Sequence, residues 1–170
     1  TNIQNFSSAT GNHASQAVGV ARGIKYYNDD AIAFSSQGES SCSEGYVFEA
    51  LNGAAREQVP VIFVVQNNGF GISVPITEAT ANPIVSDNFT GIRGLKIINC
   101  DGTNPFDSIA AMEEAVAYVK ETGGPVLVQP CIRNHPSIAH LSAGALCTVR
   151  IVTLRPPDQP PRLLLARFRM

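Results

Sequence analysis

The run Val61-Ile62-Phe63-Val64-Val65, set off by Pro60 and lying between stretches of helical period, constrains this chain more than any other feature. Five consecutive β-branched and aromatic residues without alternation describe a strand buried on both faces, which is the habit of parallel sheets sandwiched by helices. The surrounding sequence repeats that theme. Ala14, Ala17, Val18, Ala21 and Ile24 step by three and four through His13 to Tyr27, and Ala31-Ile32-Ala33-Phe34 follows the Asn28-Asp29-Asp30 turn as a short strand. Ser43 to Gln58 puts Val47, Leu51, Ala54 and Ala55 on one helical face before the Val61–Val65 run. Leu95-Lys96-Ile97-Ile98 reads as another strand. Asn104-Pro105 then supplies an N-cap with proline at the first helical position, Ile109, Met112, Val116 and Val119 mark a helix, Gly123-Gly124 ends it, and Val126-Leu127-Val128 closes the set. This alternation predicts an α/β fold, a doubly wound parallel sheet covered on both faces.

In such sheets ligands are held by the turns at the carboxyl ends of the strands. Two turns here carry the right chemistry. Gly38-Glu39-Ser40 follows one apolar strand and Asn67-Asn68-Gly69-Phe70-Gly71-Ile72-Ser73 follows the next. A helix N-terminus at Ser40-Ser41-Cys42-Ser43 would present unpaired backbone N–H groups to an anion, and Glu39 with an amide oxygen from Asn68 would suit a cation such as Mg²⁺, which takes oxygen ligands and shares its shell with phosphates. On spacing alone, an ordinary strand-to-helix turn with a capping serine and a solvated glutamate accounts for the same residues.

The words around the two turns are more specific. Ser43-Glu44-Gly45, Ala50-Leu51-Asn52, Pro60-Val61-Ile62-Phe63 and Gly71-Ile72-Ser73-Val74-Pro75 surround them, and Ser15-Gln16-Ala17-Val18-Gly19 precedes the first strand. From about Ser7 to Arg133 the chain resembles the thiamin-diphosphate domain of 2-oxo acid dehydrogenases, in the alpha subunit of their decarboxylating component. That family carries Gly-Asp-Gly, then about thirty residues ending in Asn-Asn, with Ser-Glu-Gly, Ala-Leu-Asn, Pro-Val-Ile-Phe and Ala-Ile-Ser-x-Pro words. The resemblance implies a cofactor-binding domain for oxidative decarboxylation of a 2-oxo acid, with acyl transfer to a lipoyl carrier. It implies Mg²⁺ held by Glu39, Asn68 and the carbonyl of Phe70, and thiamin diphosphate contacted by Gly38, Ser40, Ser41 and Ile72. It assigns no catalytic side chain to this chain. The aminopyrimidine ring needs a beta subunit or a second domain, so a homo- or hetero-oligomer is implied, with the isolated chain inactive. A reading of another class is a non-catalytic relic or dimerising module that keeps the fold but not the cofactor.

The chain departs from the family pattern at named places. Glu39 is one methylene longer than the family's aspartate, and Ser40 replaces a glycine whose missing Cβ lets backbone approach phosphate. Ala14 stands where a larger apolar residue is common, and Gln66 where some members have arginine. After Arg133-Asn134-His135-Pro136 the family's His-Ser-x-Ser word is missing. Composition changes there too. Residues 1–135 hold seven Lys or Arg against thirteen Asp or Glu, whereas 136–170 hold five Arg against Asp158, with five of the eleven prolines. The expected organisation is thus a cofactor domain over 1–135 and an atypical Arg/Pro-rich tail over 136–170. Ser137 to Ser142 permits the coding AGC ATA GCA CAT CTC AGC, which two nucleotides later reads His-Ser-Thr-Ser-Gln. A reading-frame change near Pro136 is therefore a hypothesis that the gene sequence tests, because the other frame must then encode family-like sequence. His135 reads as a loop histidine, as do His13 and His140.

Composition excludes some alternatives. The 44% hydrophobic content and mean hydropathy of +0.05 fit a globular domain. The longest apolar stretch is of strand length, and Thr1-Asn2-Ile3-Gln4 lacks a basic-then-apolar signal pattern, so a cytoplasmic setting without membrane contact is expected. Cys42, Cys100, Cys131 and Cys147 have no Cys-x-x-Cys spacing and read as bystander thiols. Scattered arginines without aromatic partners make a poor nucleic-acid reader.

Overall fold

The computed structural model describes residues 8–134, 136, 137 and 140, together with the backbone of 148–154 and 162–169. His135, Cys147 and most of the segment after Ser137 lie outside the described residues. The chain divides into two compact units, Thr1–Ile132 and Arg133–Met170.

The first unit is built on helix α1 (Asn12–Tyr26), strand β1 (Ala33–Gly38), helix α2 (Gly45–Glu57) and strand β2 (Val61–Gln66). A short hairpin, β3 (Phe70–Gly71) with β4 (Val74–Pro75), leads to the one-turn helix α3 (Ile76–Ala79). Strand β5 (Lys96–Asp101), helix α4 (Pro105–Thr122) and strand β6 (Val126–Cys131) complete it. The four long strands form one parallel sheet in the order β1-β2-β6-β5.

Strand β2 shows why its residues are apolar without a break. Val61, Phe63 and Val65 join Ala14, Val18 and Ala21 of α1 and Val47, Leu51 and Ala54 of α2 in one cluster. Ile62 and Val64 join Ala111, Ala115 and Val119 of α4 in another. Alternate side chains of a strand point to opposite faces, so only a strand covered on both sides needs this composition. The step from β1 to β2 and the step from β5 back to β6 run in opposite directions across the sheet. Right-handed crossovers then put α2 and α4 on opposite faces, giving the doubly wound arrangement that the alternation predicts.

Details differ from the sequence expectation. Helix α4 does start as read, with Asn104 Oδ1 accepting the Phe106 N–H and Pro105 in the first turn, and it ends at Gly123, whose φ of 71° is left-handed. Its buried stripe, however, is Ala111, Ala115 and Val119, while Ile109 is exposed. Alanines let the helix lie close to the sheet; the larger Met112 and Val116 pack at its flank. Strand β1 begins at Ala33 rather than Ala31 and runs to Gly38.

In the second unit, β7 (Thr148–Leu154) and β8 (Arg162–Arg169) pair antiparallel as their own two-stranded sheet. The tail therefore carries regular pairing, between a β-branched run before the prolines and a leucine-rich run after them. No helix among the described residues is long and apolar enough to cross a membrane.

Candidate functional site

The register of β1 on β2 pairs Gly38 with Gln66, so the two chemically loaded turns leave the sheet at the same level. The next strand along, β6, is reached from α4 on the opposite face. The turns thus sit at the carboxyl end beside the place where the connections change sides, where open α/β sheets bind ligands.

The first turn is not the start of a helix, as the sequence suggested. Glu39–Ser43 forms a 3₁₀ segment, Glu44 is extended, and α2 begins only at Gly45. No side chain caps either element, and Glu39 is only 4% exposed. The alternative of a capping serine and a solvated glutamate is therefore excluded. Ser41 accepts the Glu44 N–H through its carbonyl at 3.1 Å. Gly38 has ordinary extended geometry, and the space where its side chain would begin is open.

The second turn is shaped by its two asparagines. Asn67 Oδ1 accepts the Gly69 N–H at 3.1 Å, and Asn68 Oδ1 accepts the Phe70 N–H at 3.0 Å, two successive side-chain-mimicked turns. Gly69 supplies the left-handed φ of 81° that this reversal requires. Asn67 is tied to β6 through Pro130 and Ile132, and its Nδ2 donates to the Pro83 carbonyl at 2.9 Å. At the hairpin tip Ile72 has φ 60° and is fully exposed. A β-branched residue in that conformation costs about 1–2 kcal/mol.

The turns meet at Glu39. The Asn68 N–H donates to Glu39 Oε2 at a long 3.5 Å. Glu39 Oε1 is buried without a partner. Among the described residues, the buried side-chain polar atoms left unpaired are Gln37 Nε2, Glu39 Oε1 and Ser40 Oγ, all within four positions of the chain. Folding tolerates few such atoms, since each costs about 1–3 kcal/mol and a charged one more. Cys42 lies against the same turn, its Sγ donating to the Gly38 carbonyl at 3.9 Å. Burial pushes its thiol up to about 12, with Gln37 opposing and the charge of Glu39 adding to the shift.

The structure thus brings Glu39, Asn68 and Phe70 to one corner, with Gly38, Ser40 and Ser41 on the same turn as Glu39. Ile72 stands apart at the hairpin tip. The corner fits a hard cation by three observations. Glu39 offers an orphaned oxygen, Asn68 Oδ1 has a second lone pair, and the register partner of Phe70 is Pro75. The Ile76 N–H donates to the Gly69 carbonyl at 2.9 Å, which makes Phe70 and Pro75 a non-hydrogen-bonded pair, so the Phe70 carbonyl takes no ladder bond from its partner.

Several supporting residues escaped sequence reasoning. Gln129 is fully buried and its Oε1 accepts the Ser86 N–H at 2.7 Å, while Ser86 Oγ donates to Asn99 Oδ1 at 2.8 Å. This network ties the loop holding Asn67 to β5 and β6. The available signal was a polar residue directly after Val126-Leu127-Val128, and likewise Ser35 and Gln37 within β1. His13 is not idle, since its Nε2 donates to the Ser36 carbonyl at 2.9 Å and docks α1 onto the end of β1.

Comparison with known proteins identifies the family. The family model described as dehydrogenase E1 component matches residues 1–136. The 3-methyl-2-oxobutanoate dehydrogenase subunit alpha of Mycobacterium tuberculosis is 35% identical over 119 residues, 70% of this chain and 32% of that protein. The pyruvate dehydrogenase E1 component subunit alpha of Bacillus subtilis is 34% identical over 116 residues, 67% of this chain and 30% of that protein. The chain spans about a third of the length of these relatives. A transketolase structure from Campylobacter jejuni superposes with a TM-score of 0.62 at 20% identity, covering 72% of this chain and 20% of that one, a likeness of fold. With the family model covering most of the chain and both relatives being alpha subunits, the chain belongs to the dehydrogenase E1 component family, among the alpha subunits of 2-oxo acid dehydrogenases.

Proposed function

We propose that residues 1–135 are the Mg²⁺- and diphosphate-binding portion of a thiamin-dependent 2-oxo acid dehydrogenase, acting in oxidative decarboxylation of pyruvate or a branched-chain 2-oxo acid with acyl transfer to a lipoyl carrier. The observation that carries the reading is the buried Glu39, whose unpaired Oε1 lies on the same carboxylate that meets Asn68. A buried carboxylate oxygen without a partner calls for one, and a bound cation supplies it.

In this reading Glu39, Asn68 and the Phe70 carbonyl hold Mg²⁺. The open space beside Gly38 and the amides of Ser40 and Ser41 receive the diphosphate, and the exposed Ile72 gives apolar contact to the rest of the cofactor. When bound, thiamin diphosphate supplies the electron sink for loss of CO₂ from the 2-oxo acid. The chain's own part is to neutralise, orient and anchor. A beta subunit or second domain supplies the other half of the site, so the working form is an oligomer and the isolated chain is inactive. Residues 136–170 form an addition outside this domain.

Titration calorimetry with thiamin diphosphate and Mg²⁺ tests the reading. Binding should require both components, and Asn68→Ala should abolish it. An unchanged affinity in Asn68→Ala would sink the assignment of the cation corner, and heat-silent titrations of the folded, unsubstituted chain with and without a beta subunit would favour the fold-retaining, cofactor-free module.

A further inference from the structure

Gly71 lies in the second turn without needing glycine's conformational freedom, since it is not among the residues of positive φ. What it needs is the missing side chain. A Cβ on Gly71 would lie 3.0 Å from Ser40 Cβ and would collide with Ser40 Oγ. The hydroxyl itself is buried and has no hydrogen-bond partner. A serine in a polar turn ordinarily bonds to nearby backbone. Here packing alone accounts for where its side chain goes.

We propose that Ser40 and Gly71 form a steric interlock that fixes the spacing between the Glu39 turn and the Asn68 turn, which makes Ser40 a positioning residue for the cation corner. Its Oγ is buried and lies against Gly71 of the other turn, so the side chain acts through the separation of Glu39 from Asn68. The family words point the same way. Their pattern has glycine at the place of Ser40 and alanine at the place of Gly71, whereas this chain has the side chain on the first turn and the glycine on the second. The volume between the turns has changed sides.

Thermal melting of the ligand-free chain tests the interlock independently of any cofactor. Gly71→Ala should lower the melting temperature by about 5 °C or more, as an overpacked contact does. The same substitution in a Ser40→Gly background should cost less than about 2 °C, the mark of coupled neighbours. If Gly71→Ala alone does not fold, recovery of folding in the double variant is the same result. An equal cost in both backgrounds overturns the interlock.

The positioning role rests on the functional reading above and is tested by titrating Mg²⁺ with thiamin diphosphate. Ser40→Gly should weaken binding about tenfold by loosening the corner, and Ser40→Gly with Gly71→Ala should return to within about threefold of the unsubstituted chain. Equal affinity of Ser40→Gly and the unsubstituted chain overturns the positioning role. Unaltered binding in Asn68→Ala, by contrast, would remove the site assignment while the melting cycle still decides the interlock.

Discussion

Cys42 reports on the same crowded corner through pH. Its thiol is displaced from an ordinary value of 9.0 up to about 12, chiefly by burial. Between those values the unfolded chain has lost the proton and the folded chain has kept it. The folded state then binds more protons, so stability falls as pH rises from about 9 towards 12 and is fully present below 9. The slope from this group is at most about 1.4 kcal/mol per pH unit. Urea melts at pH 8 and pH 10 should show a larger alkaline loss for the unsubstituted chain than for Cys42→Ala; parallel losses in the two proteins would mean that the thiol is not sealed. At this scale the sequence was partly legible. Glu39 and Asn68 stood out because a carboxylate and an amide at neighbouring strand ends have a recognisable chemistry. Gln37, Ser35 and Gln129 did not, because a polar residue inside a strand declares itself only when burial is known. The Ser40 and Gly71 contact joins positions far apart in the chain and could not be read from either turn alone.

Among the elements, α4 has the best-defined start. Asn104 caps it and Pro105 occupies a position whose N–H has no helical partner to lose. Asn104→Ala should cost about 1 kcal/mol of stability, measured by denaturant unfolding. A cost near zero would mean that solvent replaces the cap. The same helix shows where element-level reading succeeds and fails. Its ends were legible because Asn-Pro and Gly-Gly act locally, through capping and left-handed φ. Its buried face was not, because Ala111 and Ala115 face the sheet by virtue of their small size, while hydrophobic periodicity gives weight to Ile109 and Met112. Strand order follows the same division. The continuous apolar run of β2 announces a two-sided strand, yet nothing local says that β6 inserts between β2 and β5. The β3–β4 hairpin was hidden for another reason: it is only two residues long on each side and is held by asparagine side chains instead of by a strand pattern. The start of α2 falls after the 3₁₀ segment at Glu39–Ser43, and no side chain caps either element, so the run of serines that suggested a helix N-terminus does not supply one.

At the scale of the whole molecule, the proposed function leads to a prediction about catalysis. The described corner offers one carboxylate, an amide and backbone groups, which suit binding and orienting. His13 is committed to the Ser36 carbonyl, and Arg133 and His140 belong to the second unit. A positioned acid-base group contributes about 10²–10⁴ in rate, and the activating half of a thiamin site is proposed to come from a partner. The purified chain should therefore bind cofactor without turning over 2-oxo acids. Adding a compatible beta subunit should give weak decarboxylation by completing the contacts to the cofactor's far ring. Replacing the segment after Pro136 with one bearing the His-Ser-Thr-Ser word should raise that rate by a further large factor, because it returns a group that orients cofactor and reactant. The three preparations can be compared by CO₂ release from pyruvate and from a branched-chain 2-oxo acid, which also separates the two substrate classes. Vigorous decarboxylation by the chain alone would overturn the division of labour and place the activating group on residues within this sequence.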